Sequence, residues 1–160
     1  MSAGDGGTAS IHSVLFVCKY NAIRSPMAEA LARHHFGRSI YIQSAGVMKG
    51  RTDPLAVAVL QEKGIDIAGH EPRTLSELHD SEGINFDLIV TLSPEAHHAA
   101  LELTRAMAVN VEYWPTFDPT AVHGSPEQEI DAYRQVRDAL DQNIRQRLSS
   151  RPLWSDDMDL

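Results

Sequence analysis

Apolar residues occur along this chain in short continuous runs that alternate with longer stretches of helical periodicity. The first run, residues 14–17, is β-branched and aromatic, which is typical of a strand buried on both faces. The next stretch begins with Ser25 and Pro26, which favours a helix start with serine as N-cap and proline as the first helical residue. This helix is predicted to end at Phe36, with Gly37 as its C-cap.

The same alternation continues toward the end of the chain. A second strand is predicted to begin at residues 40–42 and to end at residues 44–46. Two more strands are predicted at residues 86–90 and 109–113. Further helices are predicted at residues 53–64, from residue 93 to about residue 107, and at residues 126–148. Strands separated by helices form βαβ units and a parallel sheet. The pattern therefore predicts a small doubly wound α/β domain with a four-stranded parallel sheet flanked by helices.

Composition narrows the classes of function. The chain has 160 residues, the length of one domain, and 14 Lys plus Arg against 22 Asp plus Glu give a net charge of −8. This charge argues against nucleic-acid binding. The single cysteine, Cys18, excludes an internal disulfide and a cysteine-rich zinc site.

The start of this sequence shows no recognisable targeting signal. Residues 1–10 are small and polar, without the basic and apolar segments of a signal peptide, and no apolar run approaches the ~20 residues of a membrane span. We expect a cytoplasmic protein without membrane association, with a flexible N-terminus at 1–10, one domain at 11–149 and a C-terminal tail at 150–160.

The loop after the first strand has the features of an anion site. Cys18 ends the strand, and Arg24 follows six residues later at the start of the helix. Backbone N–H groups of such a loop converge on one point, the helix dipole adds positive charge, and arginine binds two oxygens of a phosphate. The same field stabilises a thiolate, and the Ser25 hydroxyl can donate to the sulfur. Asn21 tolerates the positive φ that a tight loop requires. The predicted phosphate-binding residues are Lys19, Tyr20, Asn21, Ala22, Ile23, Arg24 and Ser25.

Other interpretations of these residues remain open at this point. Cys18 can also be an inert core cysteine at a strand end. The adjacent pairs His34-His35 and His97-His98 are interpreted as surface residues, because neighbours on a helix cannot both face one metal. Trp114 is interpreted as a packing residue.

The Cys-x5-Arg-Ser-Pro segment between a strand and a helix resembles the phosphate loop of the low-molecular-weight protein tyrosine phosphatases. Their superfamily includes the thioredoxin-linked arsenate reductases. The resemblance continues in the family's order over residues 11–149, at segments 44–46, 53–66 and 86–90, at His70 and Arg73, and at Asp118-Pro119.

The resemblance implies a function and roles. Cys18 would attack the phosphorus of a monoester, Arg24 would hold the phosphate oxygens, and Asp118 would act as general acid and then as base. Asn21, Ser25, Ser44 and His70 would support the shape of the loop. The implied substrate is a phosphorylated protein, above all phosphotyrosine, or a small aryl phosphate, and no cofactor or metal is implied.

Two departures from the family keep alternatives open. Tyr20 stands where several such phosphatases have glycine, and Ile23 stands where many have a second cysteine. A thioredoxin-linked arsenate reductase passes a disulfide along three cysteines, so a chain with one would need an external thiol or a glutaredoxin-type partner. A phosphate-binding regulatory module without turnover is the non-enzymatic alternative. The oligomeric state is not predicted.

Overall fold

The computed structural model describes residues 11–149, and the predictions for residues 1–10 and 150–160 lie outside the described residues. The strands are β1 (Ser13–Cys18), β2 (Tyr41–Gly46), β3 (Leu88–Thr91) and β4 (Asn110–Tyr113). The helices are α1 (Arg24–Phe36), α2 (Pro54–Gln61), α3 (Leu75–Ser81), α4 (Pro94–Leu103) and α5 (Pro126–Leu148), with a 3-10 turn at Pro119–Ala121.

All four strands are parallel, in the spatial order β2-β1-β3-β4. The predicted doubly wound α/β fold is therefore confirmed. Strand order reverses between β1 and β3, so the carboxyl end of β1 lies at the switch point where ligands bind in such sheets. Cys18 is the last residue of β1 and pairs with Gly46, the last residue of β2.

Both faces of the sheet are covered, as the continuous apolar run of β1 indicates. Val14 and Phe16 face one core layer with α1, α2 and α5, while Leu15 and Val17 face a second layer with α3 and α4. All four of these side chains are fully buried. Among residues 11–149, no helix has the length and apolar character needed to cross a lipid bilayer.

Several predicted boundaries are wrong. The helix predicted to reach about residue 107 ends at Leu103, and the Thr104 hydroxyl donates to the carbonyl of Ala100 at 2.7 Å there. Helix α3 was not predicted, because its seven residues are too few for a clear period. Its signal was the Thr74–Glu77 capping box, in which each side chain accepts from the other's backbone N–H.

Candidate active site

Cys18 lies almost fully buried, 2% exposed, where the end of β2 closely approaches the loop that follows β1. A Cβ on Gly46 would lie 2.3 Å from the carbonyl oxygen of Met48 and 2.7 Å from the amide nitrogen of Asn21. Only glycine fits there without moving backbone. The loop is thus held directly against the neighbouring strand end.

The carbonyl groups of the loop point away from its centre. Those of Cys18, Lys19, Tyr20 and Ala22 accept hydrogen bonds from backbone amides of the 47–53 segment at 2.8–3.1 Å. The carbonyl of Asn21 accepts from Nε2 of His70 at 3.2 Å. In a trans peptide the C=O and the following N–H point in opposite directions, so the N–H groups of residues 19–23 face the centre. Convergent amides of this kind form an anion-binding concavity.

The sulfur of Cys18 is hydrogen-bonded by the residue predicted to contact it. Sγ lies 2.9 Å from Oγ of Ser25, and the backbone N–H of Ser25 donates to Sγ at 3.4 Å. The prediction that Ser25 caps the helix is wrong. Helix α1 begins at Arg24 with Ile23 at the N-cap and no side-chain cap bond, because the buried Ser25 hydroxyl is directed at the sulfur. The amide donates to sulfur and the hydroxyl can also donate to it, so both groups can stabilise a thiolate.

Arg24 connects the loop to the segment that follows β4. Its Nη1 donates to the carbonyl of Thr116 at 3.0 Å, and its side chain is half-buried in the first turn of α1. Thr116 is itself held by its N–H, which donates to the carbonyl of Leu92 beyond β3. The guanidinium is therefore fixed between the phosphate loop and the segment that carries Asp118.

The predicted loop-supporting residues form one hydrogen-bond network around Asn21. Asn21 is fully buried with φ 54°, and its Nδ2 donates to Oγ of Ser25 at 2.8 Å and to Oγ of Ser44 at 2.9 Å. Its Oδ1 accepts from Nε2 of His70 at 3.1 Å and from the amide of Arg73 at 3.0 Å. Burial lowers the pKa of His70. The two oxygens that face its Nε2, the carbonyl oxygen and Oδ1 of Asn21, can only accept hydrogen bonds, so the proton of the neutral ring is assigned to Nε2.

Glu29 also belongs to this network, although it was not predicted as a site residue. It is 7% exposed on α1, pairs with Arg33 at 2.5 Å, and accepts a hydrogen bond from the Ser44 hydroxyl. Its Oε1 lies 3.8 Å from Nδ1 of His70. A buried carboxylate without a partner would be strongly destabilising, so this pairing fixes Glu29 and Ser44 beneath the loop. The signal in the sequence was an acidic residue on the buried face of α1.

Asp118 lies at the surface and is held by its own local turn. Its Oδ1 accepts from the amide of Thr120 at 3.0 Å and from the Thr120 hydroxyl at 2.7 Å. Within residues 11–149 no hydrogen bond joins Asp118 to the phosphate loop, and Arg24 reaches only the preceding Thr116. Burial, a hydrogen bond to Asp53 at 3.0 Å and the charge of Asp118 raise the pKa of the neighbouring Tyr133.

The rim of the site carries charges of both signs. Lys19 is half-buried beside the loop, and Glu95 lies in the first turn of α4, just beyond the end of β3. Hydrogen bonds from its own backbone amide and from Ser93, followed by the charges of Lys19 and Arg24, lower the pKa of Glu95. Glu95 was not predicted as a site residue. Its carboxylate is ionised at neutral pH and contributes negative charge near Lys19 and Arg24.

The two histidine pairs are not equivalent. His34 and His35 are exposed, as predicted, but His97 is half-buried: its Nδ1 lies 2.9 Å from Oγ1 of Thr91 and its ring stacks on Tyr113. Within residues 11–149, no three His, Cys, Asp or Glu side chains are grouped so that they could hold a metal ion. Trp114 packs edge-on against Phe16 at 6.1 Å, in agreement with the prediction of a packing role.

Replacing Asn21 with alanine is expected to lower the free energy of unfolding by roughly 2–4 kcal/mol, because two buried hydroxyls each lose one hydrogen bond and alanine is strained at positive φ. Urea denaturation measures the change. The control is Asn143→Ala on the exposed face of α5, which should stay within about 0.5 kcal/mol of the wild type. Equal stability of the two variants would contradict the supporting role of Asn21.

The fold and the site together define a class of oxyanion-binding α/β proteins. In this class, a four-stranded doubly wound sheet carries a phosphate-type loop with a cysteine and an arginine at its switch point. The family model described as low molecular weight phosphotyrosine protein phosphatase matches residues 13–152. The chain belongs to this family, as the resemblance predicted.

Relatives within this superfamily have different activities. The arsenate reductase of Bacillus licheniformis is 31% identical over 83% of this chain and 92% of its own length. The glutaredoxin arsenate reductase of Synechocystis is 29% identical over 82% of this chain and 92% of its own length. Among solved structures, a mutant of YwlE from Bacillus subtilis is 30% identical, has a TM-score of 0.68, and matches over 84% of this chain and 95% of its own. YwlE is an arginine phosphatase, also solved as a mutant with a phosphorylated active-site serine. The chain is thus similar to both phosphatases and arsenate reductases.

Proposed function

We propose that this protein hydrolyses phosphate monoesters, with phosphotyrosine side chains as its substrates, through a phosphocysteine intermediate on Cys18. The observation that carries the proposal is the loop whose carbonyls are bonded outward, so that its amides face a buried thiol. A phosphate oxyanion is the ligand that such amides and an arginine bind best.

Each proposed role follows from the chemistry of phosphoryl transfer, in which positioning and charge stabilisation dominate. The Cys18 thiolate attacks phosphorus, and the loop amides with Arg24 hold the equatorial oxygens. Asp118 protonates the leaving phenolic oxygen. The same carboxylate then removes a proton from the water that hydrolyses the phosphocysteine.

The burial of Cys18 favours an aryl ester over a short alkyl ester. A rigid phenyl group separates the phosphate of phosphotyrosine from its peptide backbone, so the phosphate reaches a thiol that is only 2% exposed. The shorter side chain of phosphoserine would bring the peptide backbone against the exposed Tyr20 at the rim.

The second candidate is arsenate reduction with external thiols, and the arsenate reductase relatives are the observation that favours it. Arsenate would bind the loop as phosphate does and form an adduct with Cys18. With one cysteine in the chain, two external thiols would supply the two electrons that convert arsenate to arsenite.

Purified protein is expected to hydrolyse 4-nitrophenyl phosphate and a phosphotyrosine peptide without any added thiol partner, and to act much more slowly on the matched phosphoserine peptide. Release of inorganic phosphate measures all three reactions. A parallel assay follows arsenite formation from arsenate with glutathione and glutaredoxin. Arsenite turnover without release of phosphate from either aryl ester would replace the first function with the second.

A further inference from the structure

Tyr20 is exposed although it belongs to the phosphate loop, two residues after Cys18. Its side chain is 44% exposed, whereas Asn21, the next residue, is fully buried. The loop therefore presents one large aromatic ring at its rim. An exposed aromatic side chain on a ligand-binding loop offers apolar contact surface to a ligand.

The 47–53 segment lies against Tyr20 and restrains it. The amide of Gly50 donates to the carbonyl of Tyr20 at 2.9 Å, which fixes the backbone of Tyr20. A Cβ on Gly50 would lie 3.4 Å from Cβ and 3.8 Å from Cγ of Tyr20, and 3.7 Å from Cβ of Ala22. The Tyr20 side chain therefore lies close to Gly50, beside the small side chain of Ala22.

A second contact restrains the ring from the loop itself. The Nζ of Lys19 lies over the Tyr20 ring, 5.1 Å from its centroid, within the range of a cation–π interaction. Ordering the ring before a ligand arrives lowers the entropy cost of stacking against it.

Two further exposed apolar side chains lie on segments bonded to the loop. Met48 is 53% exposed, and its amide donates to the carbonyl of Lys19 at 2.8 Å. Phe117 is 56% exposed and lies between Thr116, which Arg24 contacts, and Asp118. Apolar surface therefore occurs on both segments that border the loop, with Tyr20 on the loop itself.

We propose that Tyr20 is a specificity-determining residue, a restrained platform on which the aromatic group of a substrate stacks while its phosphate occupies the loop. The proposal rests on the proposed function for its substrate class. It adds that the preference for an aromatic leaving group comes from this residue, whereas affinity for the bare oxyanion comes from the loop amides and Arg24.

The test compares the binding of benzylphosphonate and methylphosphonate by calorimetry, since neither phosphonate can be hydrolysed. The proteins are the wild type, Tyr20→Ala and Tyr20→Phe. The control is Tyr41→Ala, because Tyr41 is also 50% exposed but begins β2, at the opposite end of the sheet from Cys18.

The wild type is expected to bind benzylphosphonate more tightly than methylphosphonate. Tyr20→Ala should lower that ratio roughly three- to tenfold, the range of one aromatic pair, with methylphosphonate affinity unchanged. Tyr20→Phe and Tyr41→Ala should keep the wild-type ratio. An unchanged ratio in Tyr20→Ala, or an equal fall in Tyr41→Ala, would overturn the proposal.

The binding experiment separates this inference from the proposed function. If the ratio falls in Tyr20→Ala but the wild type releases no phosphate from aryl esters, the platform stands and the hydrolase assignment fails. If aryl esters are hydrolysed but the ratio does not depend on Tyr20, the hydrolase assignment stands and the platform fails.

Discussion

Cys18→Ser is expected to lower the rate of 4-nitrophenyl phosphate hydrolysis roughly a thousandfold, equivalent to about 4 kcal/mol of activation free energy. A serine hydroxyl is far less ionised than a thiol and is a weaker nucleophile at neutral pH. No other thiol can take over, because the chain has no second cysteine. Steady-state turnover of the purified proteins measures the loss.

The control for this variant is its affinity for inorganic phosphate, measured by calorimetry. Serine is close to cysteine in size, and the loop amides and Arg24 do not depend on sulfur for their positions. Phosphate should therefore bind within a few-fold of the wild type. A variant that keeps its turnover would show that the chemistry occurs elsewhere.

Asp118→Asn is expected to lower kcat/KM by roughly a hundredfold or more for phenyl phosphate, whose leaving group is poor, because general acid catalysis contributes on this scale. This ratio reports the step that forms the phosphocysteine, whereas kcat also contains the later hydrolysis, which is common to all esters. For 4-nitrophenyl phosphate the loss should be much smaller, since that leaving group departs without a proton. The asparagine Oδ1 can still accept the two bonds from Thr120, so the turn is retained.

The matched control is Asp66→Asn. Asp66 is also exposed and also accepts a hydrogen bond from the amide two residues later, that of Ala68 at 2.8 Å. Asp66→Asn should leave kcat/KM for both esters close to the wild-type value. The same loss of kcat/KM for both esters in Asp118→Asn would remove Asp118 from the acid role.

The order of elements was predictable because local signals marked the elements. The run at residues 14–17 lies within β1, and the helix predicted at residues 126–148 has those bounds in the structure. Helix α3 was not predicted because its seven residues give too little periodicity, although its capping box is present in the sequence. Boundaries such as the end of α4 depend on a side-chain bond from Thr104, which apolar patterning does not encode.

The candidate site was only partly predictable, for a different physical reason. Cys18, Arg24 and Ser25 lie close together in sequence, from the end of β1 to the first turn of α1, so their spacing carries their chemistry. Glu29 becomes part of the site through Ser44, which lies 15 residues away on another element, and through His70. The outward bonding of the loop carbonyls likewise depends on the 47–53 segment, which the fold places beside the loop. The local pattern of residues in the sequence does not encode such contacts between distant segments.

Trapping the phosphocysteine tests the central claim most directly. Asp118→Asn should also slow hydrolysis of the intermediate, because the same carboxylate acts as base for water. Acid quenching of this variant during turnover of 4-nitrophenyl phosphate, followed by mass spectrometry, should show one phosphoryl group on the peptide that contains Cys18. The Cys18→Ser, Asp118→Asn double variant should not accumulate phosphate on this peptide on the timescale of turnover. Turnover of the ester without phosphate on Cys18 at any quench time would contradict the account.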